Sequence, residues 1–543
     1  MASIPYAMIS RTTSPIARIA INCQSTLRRG ASIAANSRLG VPEPEAVTGS
    51  LLTSVEVSAS IAEGPLPARP ASIFAGRAVS IAVGLLLVLG AWITYTLSNP
   101  AHTNFYTHFV WQADAFLQGR VWFPFPVKDV PGVPDNWYFQ DVFPLKDAAG
   151  EDLGRVLLPF PPLPAVLLMP FVALFGLRTD QAAISIGLAA LGVGAAWWML
   201  GGLRPRLLVR LAATAVFGLG TTWWWAAAVG STWYLAHLVA VDLALLAVGV
   251  TLRHDDGEPR LRSGPVANGG GSLARRLRAT TWPLDRSQVL AGFLLGLAAT
   301  ARLPLVFAAP WFMLVGGGGT TLRRTVSTAV GAVPPVAALL LYTYLTTGSL
   351  VHPGYEYQYQ REANGYQALG YNPKWSVEDV RYIPHNLGIM LTALPAVAPD
   401  VKPNTLGFGD PVQLCTAPGA KRSLFDDACP LAVPVDIGTG ILFSAPGLLL
   451  ALLAFRRRWR TRLVLGASTT VLIIATFNLA HFSQGWVQWG YRFSLDYMPF
   501  LLPLVGIGAA RLDGRIRTVT LLLVGLGTAV NLWGVIWGKI LGW

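Results

Sequence analysis

Apolar runs recur along the chain from Ala78 to Ile540, broken by short polar stretches. A hydrocarbon core about 30 Å thick takes roughly 20 apolar residues per crossing helix. The pattern predicts spans at 78–97, 180–201, 211–228, 233–252, 288–302, 304–319, 327–347, 436–455, 464–481, 494–511 and 517–537. An all-α polytopic membrane protein follows, with about eleven transmembrane helices and a range of roughly ten to thirteen. Only two polar segments are long, 98–179 and 348–435. They divide the chain into a basic N-terminal tail (1–77), an N-terminal transmembrane module (78–347), a polar loop (348–435) and C-terminal transmembrane helices (436–543).

The run Val156–Gly176 is the difficult element. Crossing the membrane there would put Arg204–Arg210 and the basic 253–287 loop outside, whereas leaving it uncrossed keeps every basic cluster on the cytoplasmic side. Pro159, Pro161, Pro162, Pro164 and Pro170 also oppose a regular helix over its first half. We read 156–176 as a re-entrant or interfacial helix of the outer leaflet. The N-terminus is then inside, and 98–179 and 348–435 are two large extracytoplasmic loops.

Composition sharpens the class. The 543 residues are 53% hydrophobic and 13% charged, where soluble chains carry about a quarter charged. The net charge of +13 sits in short clusters between apolar runs, such as Arg275–Arg278, Arg456–Arg462 and Arg511–Arg517. Such clusters hold topology, and nucleic acid is not an expected partner. The first forty residues hold Arg11, Arg18, Arg28, Arg29 and Arg38 but no acid. A disordered cytoplasmic tail is favoured there over an organellar transit peptide. The 263–272 stretch, SGPVANGGGS, is a linker.

Polar chemistry concentrates on the outer side. Six of seven histidines (102, 108, 237, 352, 385, 481) fall at or near that face, as do Trp223–Trp225, Trp233, Trp486 and Trp489. The sequence has no phosphate-cradling Gly-rich loop ending in Lys-Ser/Thr, no HExxH and no CxxC, so no metal site is expected. A divalent ion on the outer acids has no spacing to support it. Seven acids precede Arg155 in the first loop: Asp114, Asp129, Asp135, Asp141, Asp147, Glu151 and Asp152. Asp114, between Trp111 and Phe116 on an interfacial helix, suits a general base. Its bland reading is a solvated acid. Arg302, between two short apolar segments, either meets an anionic phosphate or snorkels to headgroups. Arg492 could likewise meet a phosphate, or pair with Asp496 at i,i+4. Tyr355, Glu356, Tyr357 and Tyr359 could hold a sugar or sit in the interfacial belt. Asp242, near the middle of its span, marks an ion path or a structural hydrogen bond. Cys415 and Cys429, fourteen residues apart in the second outer loop, are placed where a disulfide can form.

Five segments taken in order, FPPLPAVLLMPFVALFG, GFLLGLAATARLP, LLYTYLTTGSLVHPGYEY, GTGILFSAPGLLLAL and YRFSLDYMPFLLPL, follow a polar loop after the first span. Together they resemble the GT-C superfamily of membrane glycosyltransferases, which includes protein mannosyltransferases and lipid A aminoarabinose transferases. The likeness runs over about residues 78–540. It implies a GT-C-like fold in a bacterial plasma membrane, an outward-facing site, a polyprenyl-phosphate-linked sugar donor and an inverting displacement onto an extracytoplasmic lipid, glycan or protein acceptor. By that analogy Asp114 is the base, with Asp141 and Glu356 in reserve, and Arg302, Arg492, Tyr355 and His385 bind the donor. The sequence departs from the family in one place: where many members carry an acidic pair after the first span, it has Asn99, Pro100 and Asn104. A transporter or lipid flippase, motivated by Asp242 and Arg302, and a non-catalytic assembly factor are the alternatives.

Overall fold

The computed structural model describes residues 71–256, 284–362, 371–372, 374–405, 410–458, 461–485, 487–511 and 515–543. The expected tail (residues 1–70 of it), the 263–272 linker and Trp486 lie outside the described residues. Two compact units are present. A small one includes Asp147–Glu151, a turn in which Asp147 accepts from the backbone N–H groups of Ala149 and Glu151. The other, Arg77–Lys146 with Asp152–Trp543, carries everything described below.

This larger unit is a bundle of helices, most of them apolar. In chain order they are α1 (Arg77–Ser98), α2 (His108–Leu117), α3 (Leu163–Phe175), α4 (Gln181–Leu200), α5 (Leu207–Leu219), α6 (Trp223–Val229) and α7 (Thr232–His254). Then come α8 (Arg286–Ala299), α9 (Ala309–Leu314), α10 (Thr321–Thr347), α11 (Gly354–Glu362) and α12 (Ile383–Thr392). The series ends with α13 (Ile441–Ser444), α14 (Phe455–Arg458), α15 (Arg462–Ala480), α16 (Ser494–Ala510) and α17 (Arg515–Ile540). Among the described residues six helices, from the runs of α1, α4, α7, α10, α15 and α17, are long and apolar enough to cross a membrane, and the pair α5–α6, bent by 45°, makes a seventh where it is counted as one span. The chain is thus an integral membrane protein. Of the eleven spans expected, the other four, 288–302, 304–319, 436–455 and 494–511, correspond to shorter or broken helices.

Burial orders these helices. In α7, 83% of the apolar window is buried inside the bundle, against 11% in α1. An all-round apolar helix belongs at the centre, whereas α1 presents Leu85, Leu86, Leu89 and Leu97 outward, a face suited to lipid tails. Where α8 meets α10, a Cβ on Gly292, Gly296 or Gly331 would collide with the facing backbone or Pro335, so small residues let these helices approach closely.

The polar segments gather at one end of the bundle. At the end of α1, His102 Nδ1 lies 2.5 Å from Asp180 Oδ2 at the start of α4. The chain between them therefore leaves and re-enters at the same end. Within it, α3 has 13 residues, with Pro170 inside, and at 1.5 Å per residue it is about 20 Å long. Its first N–H donates to the Thr300 carbonyl beyond α8. A three-stranded antiparallel sheet covers this end, ordered β1 (Phe123–Pro124), β3 (Asp152–Leu157), β2 (Phe143–Lys146), with Phe143 opposite Leu157 and Phe123 opposite Val156. The second loop adds β4 (Ala396–Val397) paired with β5 (Ala432–Val433). It also holds a Cys415–Cys429 disulfide with Cα atoms 4.4 Å apart. Trp537 Nε1 of α17 donates to the Leu424 carbonyl of that loop at 3.1 Å. At the opposite end, Asp256 meets Arg324 and Arg462, each at 3.4 Å, tying α7, α10 and α15.

Candidate functional site

Asp141 sits just before β2 and is shaped by α2. The first residue of α2, His108, is fully buried. Its Nε2 lies 2.8 Å from the Gln140 carbonyl and its Nδ1 3.0 Å from Thr232 Oγ1. A carbonyl only accepts, so Nε2 carries the proton. Burial pushes this imidazole down to about 3, which keeps it neutral. Its ring stacks on Phe139, centroids 3.9 Å apart. The peptide before Asp141 is thus held from two sides, and Asp141 itself adopts φ +57°. This left-handed conformation is one that Asp tolerates better than most residues and that clusters at functional sites.

The Asp141 carboxylate accepts from Trp233 Nε1 at 2.8 Å. Burial raises its pKa above the usual carboxylate range; the Trp233 bond and the charges of Arg492, Arg361 and His481 pull the other way. A carboxylate with a raised pKa is a stronger proton acceptor. Trp233, Tyr106, Tyr138 and Arg492 also line a cavity of about 560 Å³. Asn104, Trp225, Tyr234, Lys539 and Trp543 contribute to the same wall. The cavity is therefore aromatic, with two cations and the Asp141-bound tryptophan at its surface.

A second cluster is built on Asp496, in the first turn of α16 and fully buried. Arg302, in the break after α8, grips it through Nε to Oδ1 at 3.1 Å and Nη2 to Oδ2 at 2.8 Å. Asn478 of α15 donates to Oδ2 at 3.0 Å. His237 Nδ1 of α7 lies 3.1 Å from Oδ1. Arg302 and Asn478 thereby bond both carboxylate oxygens. Arg302 keeps 21% of its side chain exposed, and its Nη1 takes no hydrogen-bond partner among the described residues. Phe493, one turn from Asp496, lies under both Arg302 (5.4 Å) and Arg492 (5.3 Å).

The structure brings some of the expected residues together and leaves others apart. Asp141, Arg302, Arg492 and Tyr355 converge: the Tyr355 phenol is pushed up by burial while Arg302 draws it down, and Asp141 and Glu378 act on it too. Asp114 is half-buried on α2 and accepts from Gln118 at 2.7 Å, with no ion pair to it among the described residues. Glu356 is exposed and bonded to Gln360. His385 is exposed on α12, while its neighbour Asn386 turns inward to the Leu479 and His481 carbonyls. Asp496 is held by Arg302 and Asn478, with His237 close by. Asp242 lies apart on α7, its Oδ1 buried without a hydrogen-bond partner among the described residues. No group of three or more His, Cys, Asp or Glu side chains able to hold a metal is found among the described residues.

His108, His237, Asn478, Phe493 and Trp233 were not singled out by sequence as site residues. Arg302 and Asp496 are 194 positions apart, so no local spacing could join them. The one available signal was the pair of polar residues, His237 and Asn478, inside apolar runs.

No protein-family model and no curated protein matches this sequence. Among solved structures, two are similar. One is ArnT from Cupriavidus metallidurans bound to undecaprenyl phosphate, at 15% identity and a TM-score of 0.38 over 83% of this chain and 63% of that one. The other is the Archaeoglobus fulgidus oligosaccharyltransferase in its apo form, at 12% identity and a TM-score of 0.40 over 82% and 56%. The chain thus spans less than two thirds of the length of either protein.

Proposed function

We propose that the protein is a membrane glycosyltransferase that moves a sugar from a polyprenyl-phosphate carrier to an extracytoplasmic acceptor hydroxyl with inversion. The observation that supports this most is the convergence of one raised-pKa carboxylate, Asp141, with two fixed guanidiniums beside an aromatic cavity. In this reading Asp141 takes the acceptor's proton as its oxygen attacks the anomeric carbon. The bond from that carbon to the phosphate oxygen breaks, and its electron pair leaves with the polyprenyl phosphate. Arg302, through Nη1, and Arg492 meet the charge that develops there, where preorganised cations act most strongly. Asp114 and Glu356 take no part. Aromatic faces of the cavity wall carry the ring of the sugar or acceptor.

The deciding measurement is transfer by the purified chain in nanodiscs from radiolabelled polyprenyl-phosphate sugars to envelope lipid and glycan acceptors. Product with an inverted anomeric bond is expected; no transfer from any such donor would sink the reading. Sidedness has its own test. Reporters fused at positions 178 and 265 should read extracytoplasmic and cytoplasmic respectively. An extracytoplasmic signal at 265 overturns an outward-facing site.

A further inference from the structure

Resting on that reading, we infer that Asp496 and Phe493 are positioning residues that aim Arg302 and Arg492 at the departing phosphate. Both come from one turn of chain. Phe493 caps α16 and Asp496 follows within its first turn. The turn is pinned by the Ser494, Leu495 and Asp496 N–H groups bonding to the carbonyls of Tyr491, Arg492 and Phe493. Side-chain geometry at this point is therefore set by backbone.

Asp496 decides how Arg302 is presented. A free arginine would offer five N–H donors in a mobile fork. Here Nε and Nη2 are committed to the two carboxylate oxygens. Asn478 and His237 hold the carboxylate from the other sides. Asp496, Asn478 and His237 are all buried, so Nη1 is left to face outward. Phe493 decides how far the second cation stands. Two guanidiniums repel one another, yet both lie against this ring. The attraction of each cation for the ring offsets part of that repulsion. Arg492 is further held by its backbone N–H bonding to Gln488 Oε1 at 3.1 Å. Its flank is closed by Gly485, where a Cβ would lie 2.8 Å from Nε.

Positioned cations of this kind favour the state in which charge has developed over the state in which it has not. The donor is a phosphodiester with one negative charge, and the departing polyprenyl phosphate becomes a dianion. The site should therefore prefer the product's head to the donor's. That preference, rather than binding as such, is what Asp496 and Phe493 supply.

The test measures affinity of the nanodisc-embedded protein for polyprenyl phosphate and for an unreactive polyprenyl-phosphate sugar analogue. Wild type, Asp496→Asn and Phe493→Leu are compared above pH 8, where the product is dianionic. Product-over-donor preference is expected to fall by about tenfold in Asp496→Asn and by severalfold in Phe493→Leu, while donor affinity changes little. Phe493→Leu keeps the apolar volume and serves if Asp496→Asn does not fold. A ratio unmoved in folded variants, or both affinities lost in equal measure, overturns the positioning role. Wild type that binds neither ligand would instead remove the polyprenyl-phosphate reading itself.

Discussion

Asp141→Asn is expected to lower the transfer rate by about a thousandfold, within the span that a positioned general base supplies, while Asp114→Asn stays within about twofold of wild type. The asymmetry follows from what each acid touches. Asp141 is held by Trp233, at a cavity wall shared with Arg492, and buried enough for its pKa to be raised. Asp114 is bonded to a neighbouring glutamine on the same helix. The pH profile gives an independent reading. A base must be deprotonated to work, so activity rises with pH through the pKa of Asp141, above the usual carboxylate range. Arg492 lowers that pKa; Arg492→Gln should therefore move the acid limb to higher pH, apart from any loss of rate. Rates are measured over pH 4–8 with saturating donor. Equal losses in the two aspartate variants, or an acid limb that moves down in Arg492→Gln, would exclude Asp141 as the base.

The choice between those two acids shows where sequence reading stops. Length and periodicity made the apolar helices legible, because about 20 apolar residues in a row have few other uses. The break around Arg302 was visible too, as a charge between short apolar runs. The proline-dense 156–176 stretch carried its own signal, and the structure returns the chain to the same bundle end after it. None of this ranks seven acids in one loop. Asp114 stood out by its aromatic neighbours in sequence, Trp111 and Phe116, but helix geometry turns Trp111 into the core and leaves the carboxylate beside Gln118. Asp141 looked ordinary, because everything that distinguishes it arrives from elsewhere: His108 binds the carbonyl just before it from 32 positions earlier, and Trp233 binds its carboxylate from 92 positions later. Arg492 and Asp496 repeat the point. An i,i+4 pair was one of two local readings, and no local rule pointed to the partner 194 residues away that offers two parallel bonds to a carboxylate shielded from water. Local rules rank contacts only where no long-range contact competes.

That long-range pair sets the second large effect. Arg302→Ala removes both guanidinium bonds from Asp496 and leaves a fully buried carboxylate with Asn478 and His237 alone. Breaking a buried pair from one side costs about 3–5 kcal/mol, because the remaining charge stays in a poor solvent. Unfolding by SDS titration in bicelles should show a loss of that size, with transfer abolished. The companion variant, Arg302→Ala with Asp496→Leu, removes both charges and fills part of the space. Its stability should return to within about 1–2 kcal/mol of wild type, since an apolar replacement of a whole buried pair is often near neutral. Its transfer should not return, because Nη1 is gone. Recovery of stability without recovery of rate separates what the pair does for folding from what Arg302 does for the phosphate. A double variant as unstable as Arg302→Ala would mean that the orphaned carboxylate is not the source of the damage. A double variant that regained transfer would take Arg302 out of the chemistry and leave Arg492 as the cation that meets the leaving group.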